Sequence, residues 1–327
     1  MTVLLTGGTG FVGLNIAEAL TRQGTPVVLF DIGAPPDEVV RELSDGGTPV
    51  HVVQGDIRDR AALDAAIATH RVERAVHAAV ITAGADREAR DASTIVEVNM
   101  LGTVALLEAA LRHGLTRVVY LSSSSVYGDN SFDDAWLDEA ATPALPNTLY
   151  SISKYAGERM ALRYRDLRGL DVVSARLSAA FGPWERDTGF RDTLSPPFRA
   201  TLAALRGETV TLPRPVNRDW VYGRDVAAVV TILLGRERFA HRVYNVGPGA
   251  EFATSDWCAL LAQRFPDFTW SIDESADTTP WGDRDRKPLA IDRLTSDLGY
   301  APRYRIAEAF EDYMSWLDRH PGFVDSL

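Results

Sequence analysis

The sequence predicts an α/β protein: a doubly wound parallel-sheet Rossmann domain with a smaller, discontinuous C-terminal substrate domain. Three observations predict it. Short apolar runs alternate with longer amphipathic stretches, which is the rhythm of strands joined by crossover helices. A glycine-rich turn separates the first apolar run from the first amphipathic stretch. After about Ser178 the alternation loosens and prolines and aromatic residues crowd 181–198, as expected where a second region begins.

The expected strands are 3–5, 27–30, 50–53, 75–78, 118–121 and 172–175, with helices over 11–22, 60–70 and 94–112 between them. Ala34-Pro35-Pro36 reads as a loop. Later elements, a strand at 243–246 and helices at 255–265 and 306–317, are irregularly spaced, and the chain is expected to return to the sheet near 219–234 and 243–246. Residues 1–178 with about 219–247 therefore form the expected dinucleotide-binding domain, and about 179–218 with 248–327 the substrate domain. Open parallel sheets bind ligands outside the carboxyl ends of their strands, so residues just after each strand are the first candidates for function.

The composition, 46% hydrophobic and 24% charged over 327 residues, is that of a folded protein with a real core. Forty-five acidic against 34 basic side chains leave a net charge of -11, which opposes nucleic acid and anionic lipid as partners. The lone Cys258 excludes an intrachain disulfide, reads as a buried thiol, and has no neighbours at metal-ligand spacing, so no metal is expected. The chain starts without a basic leader, and its longest apolar run, 226–234, falls short of the roughly 20 residues that span a bilayer. A cytoplasmic protein with no membrane partner is expected.

The turn Gly7-Gly8-Thr9-Gly10-Phe11-Val12-Gly13 lets backbone approach a pyrophosphate, whose charge the following helix N-terminus meets. Gly7, Gly10, Phe11, Val12 and Gly13 are the expected contacts. The second strand ends at Asp31, about 20 residues on, where a carboxylate accepts from an adenosine ribose and repels a 2′-phosphate, so NAD rather than NADP is expected. After the third strand, Asp56 and Ile57 flank an adenine or, alternatively, Asp56 caps a helix. After the fourth, Ala78 and Ala79 are small enough for the nicotinamide half to approach, while His77 reads as a satisfied sheet-end histidine.

The fifth strand ends in Ser122-Ser123-Ser124-Ser125-Val126-Tyr127-Gly128, and Tyr150 and Lys154 follow 27 residues after Ser123, four apart on one helix face. An ammonium there lowers the pKa of the phenol, and a phenolate near neutral pH is a general base for a carbinol proton.

With these motifs in order, and with Val98-Asn99-Met100-Leu101-Gly102-Thr103, Arg218-Asp219-Trp220-Val221-Tyr222, Tyr244-Asn245-Val246-Gly247 and Leu298-Gly299-Tyr300-Ala301-Pro302, the chain resembles the extended short-chain dehydrogenase/reductase family, in its NAD-dependent epimerase/dehydratase branch. The resemblance implies a catalytic triad of Ser123, Tyr150 and Lys154, with Ser122 and Ser124 on the opposite face of the strand and Ser125 near substrate. It also implies cofactor contacts at Asn99 and Leu177, and a homodimer formed through the helices around 94–112 and 150–168.

The chain departs from the family pattern at several places. Dehydratases of the family carry Thr-Asp-Glu where this chain has Ser123-Ser124-Ser125, so a 4,6-dehydratase is not expected. Ala179 replaces an asparagine that binds the sugar diphosphate, the segment 210–218 is short and carries Pro213-Arg214-Pro215, and Thr82 stands where several epimerases have lysine. Arg218 matches an arginine that often contacts the nucleotide. Trp184, Arg186, Arg191, Arg199 and Trp281 are candidates for a substrate wall, the alternative for the arginines being pairing with Glu185, Asp187 and Asp192. The run 283–287 reads as a solvated loop.

The leading expectation is an NAD-dependent oxidoreductase removing hydride from a secondary alcohol of a free sugar, sugar acid or polyol. The alternative is a nucleotide-sugar 4-epimerase of UDP-hexose type that retains NAD. A non-catalytic NAD sensor would need a broken triad, and all three members are present.

Overall fold

The computed structural model describes residues 1–133, 135–279, 281–282 and 284–325. The first strand, β1 (Val3–Thr6), lies inside the sheet with every side chain buried. A strand covered on both faces must be apolar throughout, which is why the early strands read as continuous runs rather than alternations. In chain order follow α1 (Phe11–Thr21), β2 (Val27–Asp31), α2 (Asp37–Ser44), β3 (Val50–Gln54), α3 (Arg60–His70), β4 (Arg74–His77), α4 (Ala85–Val96), α5 (Gly102–His113), β5 (Arg117–Ser123), α6 (Leu149–Arg168) and β6 (Val172–Leu177). The sheet order is β3-β2-β1-β4-β5-β6 with the strand Val243–Val246 outermost beside β6, and all pairings are parallel.

Alternate residues of β1 feed opposite cores. Val3 and Leu5 join Leu14, Ala17 and Val230 of α1 and α8 (Gly223–Gly235). Leu4 joins Leu63, Leu106 and Ala161 of α3, α5 and α6. The first core continues into the C-terminal region through Trp257, Tyr313 and Trp316, so the late elements are built onto the α1 side of the sheet. There α7 (Pro196–Leu205) packs on Thr254–Arg264, and Thr209–Leu212 pairs in parallel with Thr269–Ile272.

Three details differ from the sequence reading. The stretch 219–234 adds no strand to the large sheet: Val221–Tyr222 pairs only with Ala180–Phe181, and the rest is α8, whose apolar face covers α1. Pro36 is followed directly by α2, a helix too short for periodicity to announce. The helix expected over 94–112 is longer, because α4, kinked at Asp91, is followed without a loop by a π-helical turn at Glu97–Leu101 and then α5. That run, Ala85–His113, is long and apolar enough by length and composition to cross a membrane, and half of its most apolar window is buried within the protein, where α5 packs on α3 and α6.

The helix that carries Tyr150 and Lys154 is fixed at both ends and in the middle. Thr148 and Ser151 form a reciprocal cap at its start, and Gly169 closes it in the left-handed conformation at φ +71. Midway, a Cβ on Gly157 would stand 2.2 Å from the Tyr120 hydroxyl, so only glycine lets α6 lie this close to β5. One residue on, the fully buried Glu158 accepts from Arg176 Nη2 at 2.7 Å and Nε at 3.0 Å and from Ser174 Oγ at 3.3 Å, tying α6 to β6. Removing one partner of such a pair leaves the other charge buried and uncompensated. Glu158→Gln is expected to cost about 3 kcal/mol in denaturant unfolding, and a loss under about 0.5 kcal/mol would count against this pair as the anchor of α6.

Candidate active site

A cleft of about 820 Å³ follows the carboxyl ends of the strands, from the loops after β2 and β3 to those after β5 and β6. The loop after β1 forms its floor. Gly7 has φ +69, and a Cβ there would meet Ala79 N at 2.6 Å; a Cβ on Gly13 would meet the Gly7 carbonyl at 2.3 Å. The turn is therefore pressed against both the β4 end and its own helix, and no side chain caps α1 at Gly10. The first N–H groups of α1 are left for an anion, which is what a dinucleotide pyrophosphate requires. Phe11 and Val12 border the cleft beside Gly10.

At the end of β2, Asp31 accepts from Thr9 N at 3.1 Å, Thr9 Oγ1 at 2.8 Å and Ile32 N at 2.8 Å. Its carboxylate is thus fixed against the glycine turn at the cleft edge, where it suits ribose hydroxyls and opposes a further phosphate. Asp56 and Ile57 line the same end. Asp56 does not cap α3: Asp59 does, accepting from Ala61 N and Ala62 N, while Asp56 is engaged by the Arg58 guanidinium at 2.7 Å, which holds its pKa below the usual value. Ala78, Ala79 and Leu177 also line the cleft. Asn99 does not border it. Its amide accepts from Ile81 N at 2.8 Å and donates to Ile81 O and Ser153 Oγ at 3.0 Å each, so the expected cofactor residue is instead a clamp holding the loop after β4 against α6.

Ser123, at the end of β5, and Tyr150 and Lys154, one turn apart on α6, come together midway along the cleft. Lys154 is 4% exposed, with Nζ 4.6 Å from the Tyr120 ring centroid. Burial brings its pKa down to about 7 against the opposing pull of Glu158, so the ammonium is poised rather than permanent. Burial pushes the Tyr150 phenol up, while the hydroxyls of Ser123 and Thr82 and the charges of Arg191 and Arg286 draw it back. His77 stays neutral. Burial and the neighbouring Lys154 take it down to about 3, and since Thr103 Oγ1 donates to Asn99 O, it accepts from His77 Nε2 while Nδ1 accepts from Thr6. All four serines 122–125 border the cleft; Ser123 ends β5 and a helical turn begins at Ser124, so the strand's alternation stops there.

On the far side, Thr82, Ser125, Ala179 and Arg218 line the cleft, and the Ser125 hydroxyl is buried with no partner among the described residues. Arg218 lies over Trp220, 5.4 Å from the ring centroid, and burial with the nearby Arg286 brings it down to about 10. Arg191, Arg199 and Trp281 are also on the wall. Arg191 pairs with the buried Glu185 at 3.0 Å, as the alternative reading had it. Trp184 is not a wall residue; it is buried, donates to Glu18, and packs edge-on against Trp316. Arg186 leaves the substrate side altogether and donates to the Thr9 carbonyl at 3.0 Å. Arg286 and Lys287, read as part of a solvated loop, face the cleft beside Arg218; Asp283 of the same run lies outside the described residues. The signal for them was the apolar Pro288-Leu289-Ala290 that follows, which buries the loop's end against Leu137.

A sequence model of the NAD dependent epimerase/dehydratase family matches residues 3–247. A dTDP-glucose 4,6-dehydratase from Streptomyces niveus is 30% identical over all of this chain and 96% of its own length. Among solved structures, UDP-glucose 4-epimerase from Thermotoga maritima, with UDP-glucose, superposes with a TM-score of 0.81 over 98% of this chain and 99% of its own at 21% identity, which establishes the fold. A dTDP-glucose 4,6-dehydratase from Streptomyces venezuelae with NAD and TYD bound gives 0.78 at 26% identity, over 99% and 98% of the two chains. The chain belongs to the NAD-dependent epimerase/dehydratase family, is an enzyme of the extended short-chain dehydrogenase/reductase type, and takes NAD as its cofactor. The expectation of a free sugar, sugar acid or polyol finds no support among these relatives, whose names carry nucleotide sugars.

Lys154→Ala removes the cation one turn after Tyr150 on α6. The acid limb of the pH profile of kcat/KM is expected to move up by about one unit or more as the Tyr150 phenol becomes harder to ionise, and a limb that stays in place would detach Lys154 from the tuning of Tyr150.

Proposed function

We propose that this family member is a nucleotide-sugar 4-epimerase: it oxidises the C4 hydroxyl of a nucleoside-diphosphate hexose and returns the hydride to the other face of the same carbon. One observation carries the choice of reaction. The strand end beside Tyr150 offers Ser124 and Ser125, with no carboxylate to serve the elimination that a dehydratase adds to the oxidation. Among the described residues the carboxylates lining the cleft are Asp31, Asp56, Asp192 and Asp219. The first two lie at the adenosine end, Asp192 is paired with Arg87 at 2.8 Å, and Asp219 is enclosed, accepting from Leu289 N at 3.0 Å. The Arg218, Arg286 and Lys287 group supports a diphosphate on the substrate and compensates for the hydrogen-bond donor missing at Ala179.

Bound NAD supplies the hydride acceptor and, after transfer, the donor. In this reading Tyr150, as phenolate, takes the C4 hydroxyl proton, and Lys154 lowers the cost of that phenolate. Ser123 donates a hydrogen bond to the C4 oxygen as it becomes a carbonyl, and Tyr150 returns the proton on re-reduction. Thr82 and the Ser125 hydroxyl, which has no partner among the described residues, would meet the sugar's remaining hydroxyls in this reading.

The same reading includes a homodimer. Leu101 and Ile152 are exposed at 59% and 44%, on the π-helical turn and the α6 helix that pack together, so one apolar face is offered to a second copy. Leu101→Arg with Ile152→Arg is expected to shift the sedimentation coefficient from dimer to monomer; a monomeric unmodified protein would remove this part of the proposal.

Tyr150→Phe is expected to lower turnover by about 10³-fold while the NAD content of the purified protein stays unchanged. Incubation with UDP- and dTDP-hexoses, followed by chromatography, is expected to yield the C4 epimer with no net NADH. A 4-keto-6-deoxy product would overturn the reading in favour of a dehydratase, and stoichiometric NADH with a free sugar would restore a dehydrogenase.

A further inference from the structure

Between α1 and the loop after β4 runs a strap, residues 183–195, fastened at three places. Asn15 Nδ2 of α1 donates to the Pro183 carbonyl at 2.7 Å, and Trp184 donates to Glu18 of the same helix at 3.1 Å. Farther along, Ser195 closes on the buried Glu185 with N at 2.8 Å and Oγ at 2.7 Å. The outer part is stitched to the β4 loop, Thr82 N to Phe190 O at 2.9 Å and Asp192 N to Thr82 O at 3.0 Å. Trp184 adopts φ +68, a left-handed conformation disfavoured for a bulky residue, and its full burial holds it there. That reversal sends the next side chains back over α1's start. Arg186 Nη2 reaches the Thr9 carbonyl at 3.0 Å, and the Arg191 guanidinium lies 5.3 Å from the Phe11 ring centroid.

Arg186 is unusual among these contacts because its guanidinium is only half used. Nη1 is buried and has no hydrogen-bond partner among the described residues. A buried guanidinium N–H without an acceptor is costly unless an acceptor arrives. The carboxylate of Asp31 favours the charged form without bonding to it, and burial works against that form. The residues beside it are Thr9 and, at the uncapped start of α1, Gly10 and Phe11, the groups whose geometry fits the cofactor's pyrophosphate.

We propose that Arg186 is a cofactor latch: from the substrate-side strap it gives its free N–H to the pyrophosphate of NAD, so that the cofactor leaves only when the strap lifts from α1. The sequence had placed Arg186 against substrate; the latch assigns it to the other ligand. A planar fork bonded at one nitrogen to backbone presents the other in a fixed direction, which a lysine ammonium does not do. The consequence rests on the epimerase reading, since an enzyme that returns its hydride to the same substrate gains from keeping NAD between turnovers, but the latch itself concerns only cofactor and protein.

The test compares the unmodified protein with Arg186→Ala and Arg186→Lys. NAD content is measured after repeated gel filtration, and NADH release is followed by the loss of its fluorescence on chasing with excess NAD. Release from Arg186→Ala is expected to be faster by about tenfold or more, as for a lost charge-assisted hydrogen bond, with Arg186→Lys between the two and UDP affinity changed by less than about twofold. Release unchanged in both variants, or weakened UDP binding with unchanged NADH release, would overturn the latch. Thermal melting in the absence of cofactor shows whether the alanine variant is folded, and Arg186→Lys carries the comparison if it is not. Because release is read without substrate, an unchanged rate leaves the epimerase reading standing, and a failed epimerase assay leaves the latch standing.

Discussion

The site depends on keeping one ammonium charged where water is largely excluded. Lys154 sits beneath Tyr150 at 4% exposure, and a lone cation there would lose its proton. Glu158, one turn along the same helix, supplies the opposing field, yet it is itself buried and must be neutralised by Arg176 from β6. The face of the Tyr120 ring lies against Nζ, and His77, locked neutral between Thr6 and Thr103, adds no competing charge. These residues come from several strands and helices, so holding the Lys154 ammonium in place draws together β1, β4, β5, β6, α5 and α6.

The sheet order provides that assembly. The order in which strands are added across the sheet reverses between β1 and β4, which are neighbours although β2 and β3 intervene in sequence. Ligands of open sheets lie where this happens, because the loops on either side diverge and leave a crevice. The glycine turn after β1 and the alanines after β4 form the two lips of that crevice, close enough that Gly7 has no room for a side chain against Ala79. Asn99 then takes on a structural role: by gripping both backbone groups of Ile81 it sets the height of the second lip and, through Ser153, ties it to the helix that carries Tyr150 and Lys154.

What the sequence made legible followed from local geometry. The glycine turn, Asp31 and the Tyr150–Lys154 spacing are each contained within one element and its end, where periodicity and position suffice. The misplaced residues are those whose partner is distant in the chain. Trp184 looked like an aromatic wall because an aromatic beside arginines is a common pocket pattern, whereas Trp316 and Glu18, 132 and 166 residues away, make it core. Arg286 looked solvated because a run of alternating charges usually is, and although the apolar Pro288-Leu289-Ala290 follows it, the partners that hold Leu289, Leu137 and Asp219, are distant in the chain.

The same distinction explains why a free sugar looked attractive from sequence. A missing asparagine at 179 and a shortened loop are deletions visible in one stretch of chain, whereas the compensating charges come from segments that meet only on folding. On the substrate side of the cleft stand Arg191, Arg199, Arg218, Arg286 and Lys287 against Asp192 and Asp219, in a protein whose net charge is -11. Arg191 and Asp192 are paired with Glu185 and Arg87, and Arg218, Arg286 and Lys287 line the same wall. There burial, with the neighbouring Arg286 adding to it, brings Arg218 down to about 10. Like charges gathered in a cleft raise the energy of the protein until an anion relieves them, and a low-dielectric wall concentrates their field on whatever enters. A neutral sugar would leave that repulsion in place; a diphosphate relieves it. The overall acidic surface then works in the same direction, since it leaves this cleft as the place where an anionic substrate is welcomed.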